Sequence, residues 1–202
     1  MDTLTFIVSI FILIMSVVIH ELSHGYVAEL LGDPTPRLQG RLTINPLKHL
    51  DLFGSFIVPL VTSLAGFTFG WAKPVQWNPN NVKNRRWGEL LISIAGPASN
   101  LLVALVFGLI LRFGASSFSY SFVQIVTYVV IINIVLAVFN LIPIPPLDGS
   151  KVLFSFIPLR YNYIRNVIEQ FSLILFFIVI LFAWRVIEPL VYYIFKLIVG
   201  IS

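Results

Sequence analysis

The sequence has no cysteine and very few charged residues. The absence of cysteine among 202 residues excludes disulfide bonds, thiolate metal ligands and thiol nucleophiles together. Charged residues make up 11% of the chain, where a soluble domain has about 25%, while apolar residues reach 58% and the mean hydropathy is +0.94. The 13 basic residues give a formal net charge of +4 without a basic cluster, so nucleic acid is not an expected partner. These values predict an integral membrane protein with a single domain over residues 1–202.

The first apolar run extends from Leu4 to Leu31. It is longer than the roughly 20 residues that a helix needs to cross the hydrocarbon core. A cleaved signal peptide does not explain the run, because it starts with Asp2 rather than a basic residue and no small-residue cleavage site follows it. We therefore expect a membrane span that the mature protein retains.

Three ionisable residues, His20, Glu21 and His24, lie inside this span. Each ionisable group at the bilayer centre costs roughly 2.5–3.5 kcal/mol, so such groups need a partner or a task. Residues four apart share one face of a helix, and two imidazoles placed in this way suit zinc, which leaves room for a third protein ligand and a water. Glu21 adjoins the first histidine and can act as general base. The alternative is that all three are buried polar residues bonded to neighbouring helices.

The connection after this span contains two segments that are not plain helices. Gly32 and the prolines at 34 and 36 predict the end of the first helix. Polar and apolar residues alternate over Arg37–Ile44, which predicts either a short membrane-associated β-hairpin, whose edge could hold an extended peptide, or simply a loop. Glycines and a proline interrupt the apolar stretch Leu52–Trp71, which favours a re-entrant or partly helical segment over a plain span.

Further spans are predicted from Trp87 or Gly88 to Phe113, over Phe122–Ile142 and over Val167–Ala183. The apolar tail Val186–Val199 is too short to span comfortably alone, so it either extends the preceding helix or lies in the interface. The predicted fold class is an all-α polytopic membrane protein with about four to six transmembrane or re-entrant helices.

The basic residues predict the orientation of these spans. If the segment at 52–71 re-enters, ten of the 13 basic residues share one side, and the other side has little beyond Arg112 and Arg185. The shared side carries Arg37, Arg41, Lys48, Lys73, Lys83, Arg85, Arg86, Lys151, Arg160 and Arg165. By the positive-inside rule that side is cytoplasmic, the N-terminus is outside, and the histidine pair lies towards the cytoplasm of a multi-pass cell-membrane protein.

Asp148 is the candidate third ligand. It follows a predicted span directly, behind three prolines in four positions. Irregular backbone at membrane depth survives only where protein or a water-filled cavity surrounds it, so such a break can turn a carboxylate towards the bundle interior. Gly149 is expected to let the chain turn sharply there. The alternative is that Asp148 caps a helix over 149–156.

Four other polar residues have weaker expectations. Glu29, at the end of the first span, is predicted to be an interfacial charge, and His49, in a loop, to be solvated. Asn100 and Asn140 are amides on apolar helices, and unassisted burial of an amide is costly. On residue chemistry alone, interhelical hydrogen bonds explain them better than contact with a substrate backbone.

Three motifs in this order resemble the site-2 protease family of intramembrane zinc metalloproteases. They are HExxH at His20–His24, the Gly-Pro-Ala-Ser-Asn stretch Gly96–Asn100, and N-x-x-P-x-x-x-L-D-G at Asn140–Gly149. The resemblance covers roughly residues 5 to 160, and the third motif is highly specific. The sequence differs from larger members in having no PDZ or CBS domain and no span before the first motif, so it resembles a short form.

The resemblance implies one zinc ion per chain, bound by His20, His24 and Asp148. It implies that Glu21 activates the zinc-bound water for peptide hydrolysis in or near a transmembrane segment of a protein substrate. A zinc transporter without protease activity is the alternative function, although it should offer several ligand sets along a path. A catalytically silent relative that only binds a partner is a second alternative, but it would have no use for Glu21.

The resemblance also implies a substrate contact for two amides. It predicts that Asn100 and Asn140 lie near the substrate, which reverses the expectation from residue chemistry alone. The implied partners are thus a transmembrane protein or peptide and the lipid bilayer.

Overall fold

The computed structural model describes residues 3–51, 54, 57, 60 and 73–200. Across these residues the regular secondary structure is entirely helical. The α-helices are α1 (Thr3–Leu30), α2 (Thr35–Leu38), α3 (Arg85–Gly114), α4 (Tyr120–Asn140), α5 (Asp148–Phe156), α6 (Asn162–Gln170) and α7 (Ser172–Val199). Short 3-10 turns lie at Pro46–Lys48, Ala115–Ser117 and Leu159–Tyr161.

Three described helices are long and apolar enough to cross a membrane: α1, α3 together with the turn that follows it, and α4. The side chains of Asn84 and Ser119 accept hydrogen bonds from the first turns of α3 and α4, which satisfies backbone donors that a helix start leaves unpaired. Helix α3 packs against both α1 and α4. This arrangement confirms the predicted all-α polytopic fold.

Helix α7 joins two segments that the sequence analysis separated. The predicted span Val167–Ala183 and the tail Val186–Val199 lie largely in one helix, which passes through Pro189 without ending. The helix begins at Ser172, because residues up to Gln170 form the separate helix α6. Of the two alternatives for the tail, extension of the preceding helix is therefore confirmed.

The main apolar core lies between α3, α4 and α7. Its buried residues are Ala104, Leu111, Val126, Val130, Ile134, Ile187, Val191 and Ile198. Helices α3 and α7 approach closely at Gly108, where a Cβ atom would lie 2.3 Å from Cγ2 of Ile198. In contrast, Phe6, Ile7 and Phe11 on α1 are more than half exposed, as expected for side chains that face lipid.

The predicted β-hairpin over Arg37–Ile44 is wrong. Pro36 lies in the first turn of α2, and the backbone N–H of Leu38 donates to the carbonyl of Pro34, so this stretch starts as a helical turn. Gly40 then adopts a φ of +64°, and the rest of the stretch has no ladder hydrogen bonds. The loop alternative is correct here. The predicted re-entrant segment Leu52–Trp71 lies outside the described residues apart from 54, 57 and 60.

Hydrogen bonds to Asp33 hold the segment 73–84 against the end of α1. Its carboxylate is fully buried and accepts hydrogen bonds from the backbone N–H of Asn78 and from Nδ2 of Asn81, the latter at 2.8 Å. The same carboxylate also accepts from Thr35. Burial alone would raise the pKa of Asp33, but these hydrogen bonds hold it below its ordinary value. The segment is thereby held against the end of the bundle where the candidate site lies.

The contacts between helices define which ends meet. His20 on α1 contacts Asn100 on α3. His24, one turn later on α1, contacts the earlier residue Ile92, so these helices are antiparallel. Helix α4 ends beside the same region, and α5 follows it. The C-terminal end of α1, the N-terminal end of α3 and the start of α5 therefore surround one place.

Candidate metal centre

His20, His24 and Asp148 converge in the structure although 124 residues or more separate the aspartate from the histidines. Nε2 of His20 lies 3.0 Å and Nε2 of His24 3.1 Å from the same oxygen, Oδ2 of Asp148. All three side chains are buried, and one potential ligand atom from each lies within 4.8 Å of the others. Each candidate ligand thus offers an atom to the same small volume.

Hydrogen bonds fix which imidazole nitrogens face this volume. Nδ1 of His24 lies 2.6 Å from the backbone carbonyl oxygen of Ile92, which can only accept, so this nitrogen carries the proton. Nδ1 of His20 donates in the same way to Oδ1 of Asn100 at 2.6 Å. In the neutral rings, both Nε2 atoms therefore turn lone pairs towards an anionic carboxylate. A cation satisfies this arrangement, and two imidazoles with one carboxylate form a donor set that fits zinc.

Asn100 is held by a buried network that links three helices. Its Nδ2 donates to the carbonyl of Ser16 on α1 at 3.2 Å and to Oδ1 of Asn133 on α4 at 2.8 Å. Nδ2 of Asn133 in turn donates to Oγ of Ser16. Because Nδ2 of Asn100 faces a backbone carbonyl, the amide orientation is determined, and Oδ1 must be the atom that receives the His20 proton. The side chain of Asn100 is fully buried. It makes hydrogen bonds between helices, which is what residue chemistry alone predicted for it.

Asp148 does not cap a helix. It is the first residue of α5, the capping position is Leu147, and the helix start has no side-chain cap. The carboxylate instead meets the two imidazoles, and its Oδ1 lies 3.5 Å from Nζ of Lys151. A cation that approaches the two imidazoles therefore also meets an oxygen of this carboxylate.

Two glycines allow this close assembly. At Gly149 a Cβ atom would lie 2.2 Å from the carbonyl oxygen of Leu141. This glycine is helical and lacks a positive φ, so close contact between α5 and the end of α4 explains it rather than the predicted sharp turn. At Gly96 a Cβ atom would lie 2.5 Å from Nε2 of both His20 and His24, so only glycine leaves the ligand volume open.

A cavity of about 120 Å³ opens beside the three candidate ligands. Glu21 lines it, and its Oε2 accepts a hydrogen bond from the backbone N–H of Val75 at 2.7 Å. Pro74 and Trp77, from the segment that Asp33 fastens, form part of the wall. Asn140 also lines the cavity, and its Nδ2 donates to the carbonyl of Leu136. Glu21 and Asn140 therefore share a space with the candidate ligands.

Two further expectations concern residues outside the cavity. Glu29 forms an ion pair with Arg37 at the end of α1, in line with an interfacial charge. His49 is 2% exposed and Nε2 donates to the carbonyl of Thr43 at 2.9 Å, so the expectation of a solvated histidine is wrong. The loop folds back over this ring, which its polar neighbours in sequence did not indicate.

Sequence reasoning missed several residues of the site. Asn133 and Ser16 are polar residues on apolar spans, and the same signal that singled out Asn100 applies to Asn133. Lys151 follows Asp148 by three residues and so shares its face of a helix. No local pattern predicts the backbone contact from Val75 to Glu21, since that contact depends on how the segment 73–84 folds back.

The comparisons with known proteins agree with this geometry. The family model for peptidase family M50 matches residues 8–121 and 109–183 of the chain. The relative named “Putative zinc metalloprotease YwhC”, from Bacillus subtilis, is 39% identical over 173 residues, which are 82% of this chain and 76% of the relative. Rip2 of Mycolicibacterium smegmatis, named in the same way, is 33% identical over 72% of this chain and 58% of its own length.

More distant relatives are longer than the matched region. Zinc metalloprotease MJ0392 of Methanocaldococcus jannaschii is 26% identical over 157 residues, which are 77% of this chain but 36% of that protein. No solved structure matches the chain significantly. The family match covers most of the residues, including both histidines and Asp148. The chain therefore belongs to peptidase family M50, the site-2 protease family, and is a multi-pass membrane protein with the family's zinc metalloprotease activity.

Proposed function

We propose that this protein hydrolyses peptide bonds within or next to transmembrane segments of membrane proteins. One zinc ion is bound by His20, His24 and Asp148, and Glu21 is the general base. The observation that carries this proposal is the convergence of three ligand atoms beside a cavity that Glu21 lines, at the end of apolar membrane helices.

Bound zinc would supply a Lewis acid that polarises the scissile carbonyl and lowers the pKa of water at the site. The chain's own residues do the rest. Asn100 and Ile92 keep the imidazole protons on Nδ1, so that both Nε2 atoms stay available. Glu21 accepts a proton from water and later delivers it to the leaving amine. The hydrogen bond from Val75 holds the Glu21 carboxylate in the cavity while it does so.

The two asparagines take different roles in this proposal. Asn140 lines the cavity and is only partly buried, so its amide can bind the backbone of an unwound substrate. A helical substrate hides its carbonyls in hydrogen bonds and must unwind locally to be cut. Asn100 is fully buried and already bonded to His20, so it positions that histidine rather than touching the substrate.

The basic residues support the proposed orientation. The connections at 31–51, 73–84 and 141–171, which include the short helices α2, α5 and α6, lie at the end of the bundle that carries the site, because α1 and α4 end there and α3 starts there. By the positive-inside rule this end faces the cytoplasm and the N-terminus lies outside. Among the described residues one potential metal-ligand group is found, which argues against a transporter with several sites along a path.

The test is cleavage of a tagged single-span membrane protein by the purified full chain in lipid vesicles. We expect products whose new termini lie within or beside the span, as identified by mass spectrometry. A chelator should abolish cleavage and added zinc should restore it. Cleavage that survives removal of zinc, or that is confined to soluble regions far from the span, would contradict the proposal.

Gly96→Ala should remove zinc and activity together. The added methyl group would lie 2.5 Å from both Nε2 atoms, so the histidines must move apart to accept it. The measurement is zinc per purified chain by elemental analysis. Gly108→Ala is the matched control on the same helix, since it crowds Ile198 in the core and should lower stability while zinc is retained. Equal zinc contents in Gly96→Ala and the wild type would show that the ligand volume does not depend on the absence of a side chain at residue 96.

A further inference from the structure

A second cavity, of about 530 Å³, lies at the same end of the bundle as the metal centre. It is formed where the start of α3, the end of α5 and α6 meet. Its lining includes Arg85, Arg86, Glu89, Phe154, Ile157 and Arg165. We call it the arginine cavity. Nothing in the proposed peptide hydrolysis uses it.

The side chains around the arginine cavity carry a net positive charge. Three arginines and one carboxylate, that of Glu89, line it, and Glu89 pairs with Arg165 at 3.1 Å. Glu169 also pairs with Arg165, at 2.8 Å, from outside the lining. The first turn of α3 contains Arg85 and Arg86 and no acidic residue, although a helix N-terminus favours negative charge. The positive end of α3 and its two arginines thus act in the same direction and favour an anion.

Two apolar side chains form part of the cavity wall, and the surroundings of the cavity resemble a membrane interface. Phe154 is buried in the wall and Ile157 lies beside it. Trp87, next to Arg86 in the chain, is 55% exposed, and Tyr163 on α6 is 62% exposed. Exposed tryptophan and tyrosine concentrate at the level of the lipid headgroups. A ligand that matches both features carries an anionic group and an apolar part.

We propose that the arginine cavity binds the phosphate group of an anionic phospholipid. The phosphate lies between Arg85 and Arg165, where guanidinium groups offer several donors in one plane. The glycerol and the first acyl carbons lie against Phe154 and Ile157. Basic pockets between membrane helices are a general means of binding such headgroups.

The position of Arg86 connects this cavity to the metal centre. Its guanidinium donates to the carbonyls of Ser155 and Phe156, the latter at 3.3 Å, and so satisfies the C-terminal end of α5. The same helix begins at Asp148. A phospholipid in the cavity packs against Arg86. Helix α5 is then held at both ends, at Asp148 by the metal centre and at its C-terminal end by the lipid.

The test is lipid retention by the purified full chain in native mass spectrometry, which needs neither zinc nor activity. The probes are phosphatidylglycerol, phosphatidylcholine and inorganic phosphate. We expect wild type to retain phosphatidylglycerol preferentially and Arg85→Gln to weaken that retention roughly fivefold, the contribution of one interfacial arginine. Glu89→Gln, which removes the opposing carboxylate, should strengthen it. Arg160→Gln is the control, because Arg160 stacks on Tyr161 outside the cavity lining and should retain the lipid as wild type does.

Each outcome of this experiment decides the proposal. Equal retention of phosphatidylglycerol by Arg85→Gln and Arg160→Gln would overturn it, as would equal retention of phosphatidylglycerol and phosphatidylcholine by wild type. Binding of inorganic phosphate without binding of phosphatidylglycerol would assign the cavity to a free anion and overturn the lipid. A thermal unfolding midpoint of Arg85→Gln equal to that of Arg160→Gln would show that weakened retention is not caused by misfolding.

Discussion

Glu21→Gln should lower peptide hydrolysis by about 10²–10⁴-fold, the usual contribution of a general base, and leave zinc bound. Glutamine has the same shape and still offers an oxygen to the backbone N–H of Val75, so the wall of the cavity is preserved. What it loses is the ability to take a proton from water. The readouts are cleavage of the tagged single-span substrate and zinc per chain, measured on the same preparation.

Glu29→Gln is the matched control for this prediction. Glu29 lies on the same helix but pairs with Arg37 at its end and does not line the cavity. We expect this variant to cleave at the wild-type rate. Activity of Glu21→Gln within twofold of wild type would mean that another group accepts the proton, and loss of zinc in that variant would mean that Glu21 shapes the metal centre instead.

Asp148→Ala should lose zinc, because it removes the only carboxylate in the candidate ligand group. The remaining two imidazoles cannot complete the three protein ligands that a catalytic zinc site requires. We expect a graded series. Asn100→Ala, which removes the acceptor of the His20 Nδ1 proton but no ligand atom, should weaken zinc affinity by about 10–100-fold, and Asp148→Ala should weaken it further. Competition with a chelating dye measures both affinities.

Lys151→Ala is the control for Asp148→Ala. Lys151 lines the same cavity and lies 3.5 Å from the carboxylate, but it offers no ligand atom once protonated. Its zinc content should match that of wild type. Undiminished zinc in Asp148→Ala would break the link between the first and third motifs and leave the histidine pair as a site of a different kind.

The Asn100 prediction also separates two roles for the middle motif. If Asn100 positions His20, its replacement lowers zinc affinity and leaves the KM for substrate unchanged at saturating zinc. If it contacts the substrate, KM rises while zinc affinity stays the same. The buried position of the amide favours the first result. Asn140→Ala should give the second pattern, since that residue lines the cavity.

The sequence by itself determined the class of the protein, because membrane spans and paired ligands are local patterns. A long apolar run predicts a span by length alone, and α1, α3 and α4 lie where this criterion placed them, within a few residues at each end. The i, i+4 spacing of His20 and His24 places both imidazoles on one helical face. The order of three motifs then indicated the family that the comparisons show.

Local patterns failed where contacts with distant residues decide the conformation. The alternation over Arg37–Ile44 suggested strands, but a strand needs a partner, and helix α2 and its loop form there instead. The sequence indicated a solvated His49, yet a loop folds over it. Gly149 is required because α5 packs closely against the end of α4, and not because the chain turns there.

Only the tertiary structure decided how Asp148 and the two histidines share one volume. Their separation along the chain exceeds 120 residues, so no periodicity can connect them. The packing of α1, α3 and α4 brings Asn100 and the carbonyl of Ile92 to the Nδ1 atoms, and these contacts direct both Nε2 lone pairs to one place. The residue types of the site are therefore encoded locally, whereas the direction in which each donor atom points depends on the whole bundle.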